Sequence, residues 1–277
     1  MTDLEFRGKR PKRDRALIMA IINRTPDSFY DRGTTFTADD ALAAVRRAVA
    51  DGADVVDIGG VKAGPGASVG PAEEADRVLP LIECIRQEFP ELVISIDTWR
   101  ASVGRQACEA GADLLNDTWA AADPGLADVA AEFGAGYVCS HTGGIPPRTR
   151  PHRVHYDDVV ADVLTETTTR AEQLLASGVP REGILIDPTH DFGKNTWHGL
   201  ELLRRVDELV DSGWPVLMAL SNKDFIGETL GVGLRERVEG TLAATAFSAA
   251  AGVAMFRVHE VAETRRVLET VSTLIRE

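Results

Sequence analysis

A chain of 277 residues, 44% hydrophobic and 6% aromatic, has ample material for one large core or two small ones, and disorder is not expected. Its formal charge of -13 argues against non-specific nucleic-acid binding, which rests on neutralising phosphates with Lys and Arg, so any anionic ligand must meet a local basic cluster. The apolar run Ala16 to Ile22 is too short for a bilayer, which takes roughly 20 residues, and Cys84, Cys108 and Cys139 form no Cys-x-x-Cys pair, which suits a reducing cytoplasm.

Residues 1–15 are polar and basic (Arg7, Lys9, Arg10, Lys12, Arg13, Arg15), lack the apolar core of a secretory signal, and read as a mobile leader. From there, residues 16–277 read as one domain in which short apolar runs alternate with longer amphipathic ones. Strands are expected at Ala16–Ile22, Val55–Ile58, Val93–Asp97, Leu114–Asn116, Tyr137–His141, Ile184–Asp187, Pro215–Leu220 and Met255–His259. Helical patterns lie between them at about 37–51, 71–88, 100–110, 123–133, 156–177, 196–212, 232–251 and 260–276. Thr37 and Asp123-Pro124 look like helix starts. Gly52, Gly111, Gly134, Gly178, Gly213 and Gly252 follow helix ends, where glycine takes the left-handed conformation without a Cβ clash. This alternation predicts an α/β fold, a single (β/α)8 TIM barrel, with a doubly wound open sheet as the alternative.

A parallel barrel builds its active site at the carboxyl ends of its strands. Those ends read Asn23, Asp57, Asp97, Asn116 with Asp117, His141, Asp187, Asn222 with Lys223, and Arg257 with His259. A polar residue at one strand end is ordinary, because the chain is leaving the core. Asp97, Asn116 and Asp187, however, close apolar strands where an unpartnered carboxylate is costly to desolvate, and they suit a ligand edge rich in donors, such as an amino-pyrimidone. Lys223, Arg257 and His259 come from the last two strands, the quarter of a barrel where anions are often held, and are expected to form a basic pocket. Asn23 is a candidate weak magnesium contact, since magnesium takes few protein ligands beside phosphate oxygens. His141, His190 and His259, with Asp57 or Asp187, offer ligand types for a transition metal, yet no His-x-His or His-x3-His pair places two together, which argues against such a site. Ser140-His141 lacks a nucleophile elbow, and Gly231-Val232-Gly233 lacks the third glycine of a dinucleotide fingerprint.

"NRTPDSF" (23–29), "DIGG" (57–60), "SIDT" (95–98), "ND" (116–117), "DP" followed by "FGK" (187–194), "SNKDFIG" (221–227) and "RVHEV" (257–261) stand in the order found in dihydropteroate synthases, which the chain resembles over nearly its whole length. The resemblance implies a barrel that joins 6-hydroxymethyl-7,8-dihydropterin diphosphate to 4-aminobenzoate with release of diphosphate, sulfonamide and sulfone analogues competing for the aminobenzoate site. It implies that Asp97, Asn116 and Asp187 bind the pterin edge, that Lys223 bridges the two ligands, and that Asn23, Arg257 and His259 serve the diphosphate and its magnesium. If the chain is active, Lys223, Arg257 and His259 are its catalytic candidates. The family resemblance also implies a homodimer. Catalysis of this kind needs no strong nucleophile, because departure of diphosphate leaves a stabilised cation that the arylamine attacks.

Departures from the family wording concentrate in the loops. Its usual Gly-Gly-Glu-Ser-Thr-Arg-Pro-Gly is here Gly59-Gly60-Val61-Lys62-Ala63-Gly64-Pro65-Gly66, without threonine or arginine. Lys62 is a flexible point charge and does not reproduce a bidentate fork. Asp-Pro-Gly-x-Gly-Phe-Gly-Lys becomes Asp187-Pro188-Thr189-His190-Asp191-Phe192-Gly193-Lys194, which fills two glycines and adds a negative charge. Asn222 replaces an arginine, Ser140 and Thr142 replace methionines that pack on the pterin, and Tyr30 and Arg32 replace small residues. The chain is therefore expected to be a pterin-binding homologue that lacks or nearly lacks synthase activity, similar to the divergent second copies that some bacteria keep beside a working enzyme. A working synthase with an altered aminobenzoate loop is the main alternative, and another pterin-dependent transferase, such as a methyltetrahydrofolate methyltransferase, a lesser one.

Overall fold

A computed structural model describes residues 3–25, 37–149 and 154–275. The strands are β1 (Leu17–Asn23), β2 (Val55–Gly59), β3 (Val93–Asp97), β4 (Leu114–Asp117), β5 (Gly136–Ser140), β6 (Ile184–Asp187), β7 (Leu217–Met218) and β8 (Met255–Val258). Around them lie α1 (Ala38–Asp51), α2 (Pro71–Glu88), α3 (Ala101–Ala110), α4 (Gly125–Phe133), α5 (Val159–Ala176), α6 (Thr196–Arg204), α7 (Val206–Asp211), α8 (Asp224–Leu230), α9 (Val238–Ala251) and α10 (Val261–Ile275). The sheet order is β6-β5-β4-β3-β2-β1-β8-β7, and a parallel bridge between Ile186 and Val216 nearly closes the ring. The expected (β/α)8 barrel is the fold, and the open-sheet alternative is excluded.

Strand periodicity divides the core in two and thereby places the site. Alternate residues of a strand point to opposite faces. Ile18, Ala20, Val56, Ile58, Ile94 and Ile96 pack outward under the helices, whereas Leu17, Met19, Val55, Val93, Leu114, Val138, Leu185 and Met255 fill the barrel interior. Continuing the inward set toward the carboxyl ends gives Asn23, Asp57, Ser95, Asp97, Asn116, Ser140, Asp187, Arg257 and His259 in phase with it. The interior thus changes from apolar to polar along its axis.

The amino-terminal stretch departs from expectation. Leu4 and Phe6 are fully buried and belong to the interior cluster, so residues 3–9 close the bottom of the barrel instead of forming a mobile leader. Phe6 pairs with Lys9 across a tight bridge, and its ring lies against Gly136, where an added Cβ would come within 2.6 Å of it. Arg7 Nη1 donates to the carbonyls of Cys108 (2.9 Å) and Ala112 (2.6 Å), and Lys9 pairs with Asp113 at 2.7 Å. The alternation Leu4-x-Phe6 carried this signal among the charges. Phe6→Ala should cost about 3–5 kcal/mol; urea unfolding measures it, and a loss below about 1 kcal/mol would restore the mobile reading.

Three smaller differences are confined to single elements. The expected helix over 196–212 is interrupted at Arg205, giving α6 and α7. Expected strand seven shrinks to Leu217–Met218. Helix α8, only seven residues long, begins inside the "SNKDFIG" motif, outside the expected helical patterns.

Candidate functional site

Asn23, Gly59, Asp97 and Asn116 stand in one register row across β1 to β4. One step below, buried Asp57 is the hub of the polar floor. It accepts from Ser95 Oγ (2.6 Å), Asn116 Nδ2 (3.1 Å) and Arg257 Nε (2.6 Å), while Arg257 Nη2 reaches across to Asp97 Oδ2 at 2.8 Å. Thr118 Oγ1 donates to the other Asp97 oxygen at 2.5 Å. Burial, opposed by the Arg257 guanidinium and reinforced by Asp57, pushes the Asp97 carboxyl up to about 6. The floor is therefore two carboxylates braced by one guanidinium.

On the opposite side, Asp187 ends β6 in register with Ser140 and accepts from the amide of Thr189 at 2.7 Å. Burial raises its carboxyl, against the opposing charges of Lys223, Lys194 and Arg257. Lys223 does not stand open beside it: its ammonium pairs with Asp191 at 2.8 Å and lies 6.0 Å from the centre of the Phe192 ring. His259 Nδ1 contacts Ser221 Oγ at 3.0 Å, and Ser221 donates to Glu260 at 2.8 Å. Asn222, in the left-handed region at φ 57°, donates to the other Glu260 oxygen at 2.8 Å. Lys223, Arg257 and His259, expected as one basic pocket, thus each have a separate partner, and two of the three are paired with carboxylates.

The loop after β2 is held from across the mouth. Arg148, on the loop after β5, donates to the carbonyls of Lys62 (3.1 Å), Gly64 (3.4 Å) and Ala67 (2.8 Å). Of the two glycines in "DIGG", Gly60 is required by packing, since a Cβ there would come within 2.9 Å of Val78 on α2. Trp119 is buried and meets Phe192 edge-on at 4.5 Å and Trp99 at 6.4 Å, so the loops after β3, β4 and β6 share an aromatic contact. Trp214 is buried, whereas Trp197 is 73% exposed.

A family model described as pterin-binding enzyme matches residues 19–259. The chain belongs to this family. It is 65% identical over 271 residues to the inactive dihydropteroate synthase 2 of Mycobacterium leprae, covering 96% of this chain and 93% of that one. It is 38% identical over 262 residues to the dihydropteroate synthase of Escherichia coli, covering 93% and 91%. The solved Yersinia pestis dihydropteroate synthase, in a sulfonamide drug complex, superposes with a TM-score of 0.92 at 34% identity, covering 98% of both chains.

Within this pterin-binding barrel the loop departures have defined surroundings. Thr189 holds a left-handed backbone at φ 51°, costly for a β-branched residue. Its hydroxyl offsets this by accepting from the His141 amide (3.2 Å) and donating to the Asp187 carbonyl (3.1 Å). Gly193 cannot be filled likewise, because a Cβ would lie 2.3 Å from the Thr142 carbonyl oxygen. Tyr30 and Arg32 lie outside the described residues.

Sequence reasoning overlooked Lys194, whose buried ammonium meets His141 Nδ1 (2.8 Å) and the carbonyls of His141 (2.9 Å), Thr189 (3.1 Å) and Phe192 (3.1 Å). Burial lowers its pKa to about 7, and burial together with Lys194 lowers His141 to about 4. His190 is buried too, stacked 5.4 Å from Phe225 with neither ring nitrogen hydrogen-bonded, and desolvation lowers it to about 3. Because its folded pKa lies below the free value of 6.5, its contribution to stability is whole above 6.5 and is lost as pH falls toward about 3. His190→Phe should keep the stack and flatten the decline of melting temperature between pH 6.5 and 4; an unchanged slope would assign that decline to other groups.

Proposed function

We propose that this chain is a pterin-binding barrel that has lost, or nearly lost, dihydropteroate synthase turnover. The observation that carries the reading is the Asp191–Lys223 ion pair at 2.8 Å, which occupies the lysine expected to bridge the two ligands. Asp191 stands where the family wording has glycine. The loop after β2 brings neither a threonine hydroxyl at Ala63 nor a guanidinium at Gly64. Hydrogen bonds to charged groups contribute about 1.5–3 kcal/mol each, so two lost contacts remove roughly 10^2- to 10^4-fold in rate.

Asp97, Asn116 and Asp187 would take the donor edge of a pterin, with Arg257 and His259 at the diphosphate end and Lys223 between the ligands. A 4-aminobenzoate or sulfonamide or sulfone analogue would meet the altered loops and bind weakly. Asn23 fits a magnesium ion held mainly by diphosphate: its amide oxygen and an Asp97 carboxylate oxygen both lie 3.7 Å from the position a Cβ on Gly59 would take, so two oxygen donors flank that glycine. Bound there, the ion would offset diphosphate charge. Cytoplasmic residence fits the three free cysteines and the absence, among the described residues, of any helix long and apolar enough to cross a membrane. Homodimerisation fits the exposed Phe247 on α9 and Leu274 on α10.

A working synthase with an altered loop is the competing reading, supported by the intact brace of Asp57, Arg257 and Asp97. Pterin titration followed by tryptophan fluorescence, paired with a turnover assay, separates them. Binding without product fits the proposal, and binding with product at ordinary rates fits its competitor.

A further inference from the structure

His141 directly follows β5, facing away from the pterin floor. Its ring is fully buried, and Nε2 points outward between two carboxylates of α5, Asp162 Oδ1 at 2.7 Å and Glu166 Oε2 at 3.5 Å. The three ligand atoms lie within 4.8 Å of one another. Asp162 and Glu166 are one helical turn apart, so their like charges share a face and repel. Among the described residues no lysine or arginine pairs with either: Arg170, a turn further on, donates to the Ser140 carbonyl instead at 3.0 Å. A neutral imidazole offers one N–H on this edge and can satisfy only one of the two carboxylates.

We propose that His141, Asp162 and Glu166 form a divalent-metal site of the zinc class, separate from the diphosphate end of the pterin site. The donor set, one imidazole nitrogen and two carboxylate oxygens, suits zinc or a similar first-row ion better than magnesium, which prefers oxygen ligands alone. Around a tetrahedral ion with bonds of about 2.1 Å, ligand atoms stand about 3.4 Å apart. Glu166 Oε2 stands at about that separation from Nε2, and Asp162 Oδ1 must retreat by about 0.7 Å. Both carboxylates are 43% exposed, which gives an ion entry from solvent and leaves a fourth position for water. Searching the sequence for closely spaced histidines could not reveal this site, because its ligands are a strand-end histidine and an Asp-x3-Glu pair on the following helix.

The test is Co2+ titration of the full, tag-free chain, read by the visible absorption of the bound ion and by calorimetry, with Asp162→Asn, Glu166→Gln and the double variant alongside. One Co2+ per chain is expected, displaced by Zn2+, with each single variant at least about tenfold weaker. Zn2+ should also raise the melting temperature of the parent chain and not of the double variant. No saturable Co2+ binding, or equal binding by parent and double variant, would overturn the site. The half-exposed positions of both substitutions keep the fold out of question, and the melting curves of the metal-free variants check it.

Discussion

The variant Ala63→Thr, Gly64→Arg, Asp191→Gly should form dihydropteroate at least about tenfold faster than the parent chain, and up to roughly 10^3-fold if the three effects add. The loop has room for the change. A Cβ on Gly64 would meet nothing nearer than Lys62 Cε at 3.9 Å, and the Gly64 backbone does not need a positive φ. Arg148 grips this segment through backbone carbonyls, so new side chains leave that hold intact. Removing Asp191 frees the Lys223 ammonium. Since neighbouring residues need not act additively, Asp191→Gly alone and the loop pair alone should be measured beside the triple variant. An unchanged rate in the triple variant would shift the cause to Thr189 and Asn222, which hold left-handed backbones at φ 51° and 57° and are tied to Asp187 and Glu260.

Arg257→Met should be the most destabilising single change in the site. Arg257 spans Asp57 and Asp97, and its loss strands two carboxylates, one of them with no exposure at all. Removing one partner of a buried ion pair typically costs about 3–5 kcal/mol, because a charge is left without compensation. For a chain of this size that corresponds to a fall of roughly 10 °C in melting temperature. Adding Asp57→Asn should recover part of the loss by removing one stranded charge. A cost below about 1 kcal/mol, or no recovery in the double variant, would show that the brace does not hold the floor.

The barrel was legible because its signals are local. All six glycines expected after helices adopt positive φ, four as the cap itself and Gly178 and Gly213 one residue beyond a serine cap. Strand-end position pointed to Asp97, Asn116, Asp187 and Arg257, and all four fall in phase with the inward-facing set. Pairings across the barrel were not legible. Which acid Arg257 chooses, with 200 residues between it and Asp57, depends on strand order and shear, which no short motif carries. Lys194 reaches His141 across 53 residues, and Arg148 reaches the loop after β2 across more than 80. The amino-terminal plug was missed for a different reason: two apolar residues among many charges weigh little in composition, yet they fill the one opening that the strands leave at the bottom.

The most direct test is a turnover assay of the purified chain with 6-hydroxymethyl-7,8-dihydropterin diphosphate, 4-aminobenzoate and magnesium, run beside a working dihydropteroate synthase at equal concentration. A rate at least roughly 10^2-fold below that enzyme, with the pterin site saturated, is the expected result. Dihydropteroate formed at the rate of the working enzyme would contradict it.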